Sequence, residues 1–103
     1  MPERLFYSPQ AQLDLEEVYD YFANELGDSD KGRVLVSDIL VAAGEIPLHA
    51  SRYPLVGPLP FTNDAYRFKT VGNYLIFFRV VDDAVYVDRI LYKRRDFSSL
   101  LGI

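Results

Sequence analysis

The stretch "YRFKTVGNYLIFFRVVDDAVYVDRILYKRRDF", residues 66–97, decides the fold. Three runs rich in β-branched and aromatic residues are separated by two short breaks, "VGN" and "DD". Such runs predict strands over 65–70, 74–81 and 84–92, and connections this short make neighbouring strands antiparallel, a meander. "DFSSLLGI" (96–103) can make a closing helical turn or two.

Upstream, "RLFY" (4–7) reads as a brief strand ended by "SP", with Ser8 placed to cap a helix and Pro9 at its first position. Ala11, Leu15, Val18, Tyr19, Phe22 and Leu26 recur at helical spacing, so a helix is predicted over about residues 9–26. Asp14, Glu16, Glu17 and Asp20 read as its polar side. "GDSD" (27–30) supplies a glycine stop and a new cap. Leu35, Ile39, Ala42, Ala43 and Ile46 then mark a second helix, expected to end at Pro47. Residues 47–63, with four prolines and a glycine, read as a loop lying against the body.

The expected architecture is therefore α+β over a single domain, 1–103: a short N-terminal strand, a helical hairpin, a three-stranded antiparallel meander and a short C-terminal helix. The length of 103 residues suits one core. With no cysteine and a lone His49, neither disulfides nor a thiolate or histidine metal cluster is available. No signal-peptide pattern and no membrane-spanning run are read in the sequence, which makes a cytoplasmic protein the expectation.

Charge is segregated. Residues 1–50 hold 3 Lys/Arg against 10 Asp/Glu, whereas residues 66–95 hold 7 cations against 3 anions, within a formal net charge of −4. Strand alternation sets Arg67 and Lys69 opposite Tyr66, Phe68 and Thr70, and sets Leu75, Phe77 and Arg79 opposite Ile76 and Phe78. Since burying unpaired cations is costly, the helices are expected to cover the Phe68 side. That leaves Arg67, Lys69, Leu75, Phe77 and Arg79 on an open face beside Lys93, Arg94 and Arg95. Cations mixed with apolar groups suit a partner protein or nucleic acid, although any half-solvated antiparallel sheet also needs polar residues outside.

Chemistry is sparsely encoded. Glu16 and Glu17 point apart on a helix, His49 sits in the proline-rich loop, and no glycine-rich phosphate loop occurs. A metal-free set of Tyr92, Lys93, Arg94, Arg95 and Lys69 has the groups to stabilise a scissile phosphate and move a proton.

The order of these features resembles the RelE/ParE superfamily of toxins from bacterial type II toxin–antitoxin systems, including plasmid stabilisation proteins: an aromatic-cation strand, a Gly-Asn-Tyr turn, an aromatic strand, an acidic turn, then "ILYKRRD". The likeness extends to the helix "SPQAQLDLEEVYDYF". The resemblance implies two routes to toxicity, RelE-like cleavage of mRNA in the ribosomal A site or ParE-like inhibition of DNA gyrase, with neutralisation by a small antitoxin. It implies no cofactor, no membrane and no small-molecule substrate. In a nuclease, Arg95, Arg94, Lys69 and Tyr92 would be the catalytic group. Ribosome-dependent members commonly carry Arg after the Tyr that opens the central strand, where this chain has Leu75 after Tyr74. Losing one such phosphate-stabilising group costs about 10²–10³ in rate. That departure and the overall acidity favour the ParE-like reading over the mRNA interferase. A non-toxic member that only binds antitoxin is the third reading.

Overall fold

The computed structural model describes residues 4–58, 65–96 and 100–101. The chain runs β1 (Arg4–Tyr7), α1 (Pro9–Asp20), a π-helical turn (Tyr21–Glu25), α2 (Ser29–His49), a 3₁₀ turn (Ala50–Arg52), β2 (Leu55–Pro58), β3 (Ala65–Val71), β4 (Tyr74–Val81) and β5 (Ala84–Tyr92). The five strands form one sheet in the order β1-β5-β4-β3-β2. β1 pairs parallel with β5, and every other pairing is antiparallel. The class is α+β, as expected.

Local signals in the sequence explain the element ends. Ser8 Oγ accepts from Ala11 N at 2.9 Å and donates to the Asp88 carbonyl at 2.8 Å, so one side chain caps α1 and ties it to β5. Asp28 caps α2 through Lys31 N at 3.0 Å. Gly27 supplies the left-handed stop at φ +66°. Asp82 and Asp83 both sit at positive φ (48° and 62°), the combination that lets a two-residue turn follow the twist of its strands.

Three expectations need correction. The first helix does not run evenly to 26: Leu26 N donates to Tyr21 O at 3.2 Å, a bond five residues long, and Leu26 faces solvent. The second helix passes through Pro47 to His49. Proline withholds one N–H, but Ile46, Pro47 and Ala50 are all buried, and that packing carries the helix onward. The predicted loop 47–63 yields a 3₁₀ turn and an additional edge strand, β2, held to β3 through a register shift between Leu55 and Gly57. Leu100 and Leu101 are helical, with Leu100 N on the Asp96 carbonyl at 3.4 Å; the rest of the expected C-terminal helix lies outside the described residues.

The main core lies between helices and sheet, where Ala11, Val18, Ile39, Ala43 and Ile46 meet Ile76, Phe78, Val85, Val87 and Ile90. A second cluster, Tyr66, Phe77, Leu91 and Leu101 with Val56, Phe68 and Leu75 against it, lies on the other side of the sheet. By length and composition, Ser29–Arg52 is long and apolar enough to cross a membrane, contrary to the sequence reading. In the fold it is the core helix, with Ile39, Ala43 and Ile46 fully buried.

Candidate functional site

The sheet places two of its strand cations, Arg67 and Lys69, on the opposite side from the one expected. The two-residue turn pairs Val71 with Tyr74, which sets Lys69 opposite Ile76 and Arg67 opposite Phe78, on the helix-covered face. Lys69 Nζ donates to the Ala42 carbonyl of α2 at 2.9 Å, lies 4.0 Å from Glu45 and sits 5.4 Å from the centre of the Tyr53 ring. Arg67 donates to the carbonyls of Tyr53 (2.6 Å) and Ser51 (3.3 Å). The expectation assumed that covered cations would be unpaired. Instead both bind carbonyls in or just beyond the C-terminal half of α2, where the helix dipole is negative.

The outer face is correspondingly less open than expected. Phe77 is fully buried, and Leu75 packs on the second cluster, which includes Leu101. Arg79 pairs with Asp88, Nε to Oδ2 at 2.5 Å, and lies over the Tyr86 ring. The Tyr66 phenol is pushed above the usual value of 10.0 by burial first and by the Asp88 charge second.

Lys93, Arg94 and Arg95 behave differently. They follow β5 in a turn closed by Arg95 N on the Tyr92 carbonyl at 2.9 Å, with Lys93 N anchored on the Asn73 carbonyl at 2.9 Å. All three are exposed and make no ion pair with a described residue. In register, Arg67 aligns through Phe78 with Val87, five positions before Tyr92, so roughly 17 Å of strand separates it from the terminal knot. Lys69 likewise aligns through Ile76 with Ile90, on the helix side, while Tyr92 pairs with Tyr74 at the sheet end. The proposed catalytic set is therefore split: Tyr92, Arg94 and Arg95 stay together, and Lys69 is elsewhere.

The exposed knot borders a cleft of about 720 Å³ that the sequence did not reveal. Tyr21, Phe22, Val34, Tyr74 and Tyr92 form much of its lining, and Glu17, Asp38, Lys31 and Arg95 also line it. The π-helical turn re-phases the end of the first helix at Tyr21 and Phe22. Tyr74 and Tyr92 stack edge-on with ring centres 5.6 Å apart. The Tyr74 phenol is pushed up, chiefly by burial and then by Tyr92 and Tyr21.

One structural pair behind the cleft also went unread. Asp14, assigned to the polar side of the first helix, is 3% exposed and pairs with Arg89. Among the described residues, no group of three or more His, Cys, Asp or Glu comes together to hold a metal ion. His49 is exposed at the end of α2.

A family model described as the ParE toxin of the type II toxin–antitoxin system, parDE, matches residues 5–97, and the chain belongs to that family. Among solved structures it is similar to a chain of the chromosomal ParDE system from P. aeruginosa, with a TM-score of 0.70 and 22% identity, over 88% of this chain and 96% of that one. At that identity the likeness supports the fold. No curated protein matches.

Proposed function

We propose that this ParE-type toxin inhibits DNA gyrase by protein contact and that a cognate antitoxin neutralises it. The observation that carries the reading is the division of its cations. Arg67, Lys69, Arg79 and Arg89 are held by internal acceptors, while Lys93, Arg94 and Arg95 stand exposed beside the tyrosine-lined cleft. A compact charged rim on an aromatic surface suits docking onto a protein, where buried aromatics anchor and arginines add charge-assisted contacts.

Phosphate cleavage needs several cations converging on one scissile group. With Lys69 committed to α2 and Leu75 in the position where nucleases of the superfamily commonly carry Arg, that convergence is poorly supported. The reading places the action of the toxin in the cytoplasm, with gyrase and antitoxin as its partners.

The test is a pair of assays on the purified chain. Gyrase supercoiling should fall, with cleaved gyrase–DNA complexes accumulating and translating ribosomes left intact. Cleaved A-site codons with normal supercoiling would instead establish the nuclease. If expression leaves growth unaffected and neither assay responds, the chain is a binding partner only. Addition of the product of an adjacent short reading frame should restore supercoiling.

A further inference from the structure

We propose that the turn following α2 forms a binding site for a phosphate monoester of the kind a mononucleotide carries. His49, Ser51 and Arg52, from the end of α2 and the 3₁₀ turn, line one pocket of about 500 Å³ together with Arg67 of β3. Pro47, Leu48 and Val80 give it an apolar side. Among the described residues no carboxylate lines it. Glu45, one helical turn before His49, lies 4.0 Å from the Lys69 ammonium, which offsets its charge. In a chain of formal net charge −4, two arginines and a histidine around one hollow make a local site for an anion.

Arg67 is the fixed element. Its Nη1 donates to the Tyr53 and Ser51 carbonyls at 2.6 and 3.3 Å, which holds the guanidinium in one orientation. The other N–H groups of that guanidinium have no acceptor among the described residues. The turn it meets is equally constrained, since Pro47 and Ala50 are buried and Tyr53 N donates to the Ala50 carbonyl at 3.4 Å. The side chains of His49 and Arg52 are exposed and have no partner among the described residues. A half-buried guanidinium locked by backbone carbonyls, with donors to spare at the edge of a pocket, needs little further ordering to take an anion.

The chemistry of the lining selects the ligand. A carboxylate carries one charge and is satisfied by a single arginine fork. Two guanidinium groups, an imidazole and the Ser51 hydroxyl offer more donors than that. They match a phosphate monoester, with a charge of about −1.5 to −2 and three acceptor oxygens. Leu48 and Val80, 54% and 39% exposed, leave apolar surface for the body to which the phosphate is joined. The volume falls within the range of about 300–1,000 Å³ usual for small-ligand pockets. Roughly 17 Å of strand separates Arg67 from the terminal knot, so ligand binding and gyrase contact can be measured independently.

Calorimetric titration of the full purified chain with adenosine 5′-monophosphate, adenosine and inorganic phosphate tests this. The nucleotide should bind, inorganic phosphate should bind about 10-fold more weakly, and adenosine should give no measurable heat. Arg52→Ala and His49→Ala should each raise the nucleotide Kd by about 10-fold, the loss of one hydrogen bond to a charged group. Both side chains are exposed, so thermal melts of these variants should match the wild type. Amide chemical-shift changes should centre on residues 47–53 and 67, and should persist when Arg94 and Arg95 are both replaced by serine. Absence of nucleotide binding, or a Kd indifferent to Arg52→Ala and His49→Ala, overturns the inference. So does inorganic phosphate or adenosine binding as tightly as the nucleotide. Shift changes centred on residues 92–95 would also overturn it, by assigning the anion affinity to the knot.

Discussion

Asp14 and Arg89 meet in a two-point ion pair that also closes the edge of the sheet. Arg89 Nε and a terminal guanidinium nitrogen donate to the carboxylate at 2.9 and 3.1 Å, and the backbone N–H of Ile90 donates to it at 2.9 Å. β1 pairs with β5 only as far as Tyr7 and Val87. Beyond that point, Ser8 and Asp14 supply partners for the edge groups that a longer β1 would have met. The carboxylate thus does the work of a strand carbonyl and of a counter-ion, and its hydrogen bond raises the Arg89 pKa further above its ordinary value.

Replacing Asp14 should accordingly be among the most damaging single changes. Asp14→Ala strands a mostly buried guanidinium and an edge N–H, and a loss of about 3–5 kcal/mol is expected in urea unfolding. Asp14→Leu combined with Arg89→Met should lose less than Asp14→Leu alone, because no charge is then left unpaired. Equal losses for the single and double variants would show that the pair contributes little.

How much of this was legible turns on particular positions. The hairpin, both turns, the Ser8 and Asp28 caps and the exposed 93–95 knot follow from local chemistry, which sequence carries directly. Asp14 offered a signal: it lies three residues after Ala11 and four before Val18, in phase with the buried side of α1. The phase of β3 was also available, since a two-residue turn at Gly72 and Asn73 aligns Arg67 with Phe78. The cost of burying cations argued the other way, and it failed because their acceptors, carbonyls near the end of α2, are brought to β3 only by tertiary packing. β2, the π-helical turn and the cleft depend on packing across the whole chain and had no local signature.

Stability should fall at high pH. Burial raises the phenols of Tyr7, Tyr66 and Tyr74 above 10.0, so the folded state holds protons that the unfolded chain releases. The stabilisation is complete below pH 10 and disappears as pH rises through the folded-state values. Denaturation midpoints measured on the alkaline side should drop with pH, and Tyr66→Phe should make that drop shallower. An unchanged slope in Tyr66→Phe would remove Tyr66 from the account.

Two glycines in α2 should respond oppositely to alanine. At Gly32 a Cβ would lie 3.1 Å from Phe22 Cβ and 3.3 Å from the Tyr19 carbonyl, atoms that cannot swing away. Gly32→Ala should therefore destabilise the chain by about 1–2 kcal/mol by forcing the helices apart, despite better helix propensity. Gly44 has nothing within 4 Å, and Gly44→Ala should stabilise the monomer by about 1 kcal/mol. Thermal melts in dilute solution distinguish the two signs.

The cations should separate into two groups when stability and toxicity are measured together. Lys69→Ala removes a charge-assisted bond to the Ala42 carbonyl and a ring contact, and about 2 kcal/mol should be lost. Arg67→Ala should act similarly, through the carbonyls it braces after α2. Any fall in toxicity from these two variants should track the folded fraction and recover on cooling or on addition of a stabilising osmolyte. Arg94→Ser and Arg95→Ser touch exposed side chains, so their melts should match the wild type within about 0.5 kcal/mol. Under the proposed function, gyrase inhibition should nevertheless weaken, with the double variant losing most of it and the effect growing with ionic strength, as for contacts at a charged rim. If the double variant inhibits as well as the wild type, the knot is a solvated strand end and the docking surface lies elsewhere on the toxin.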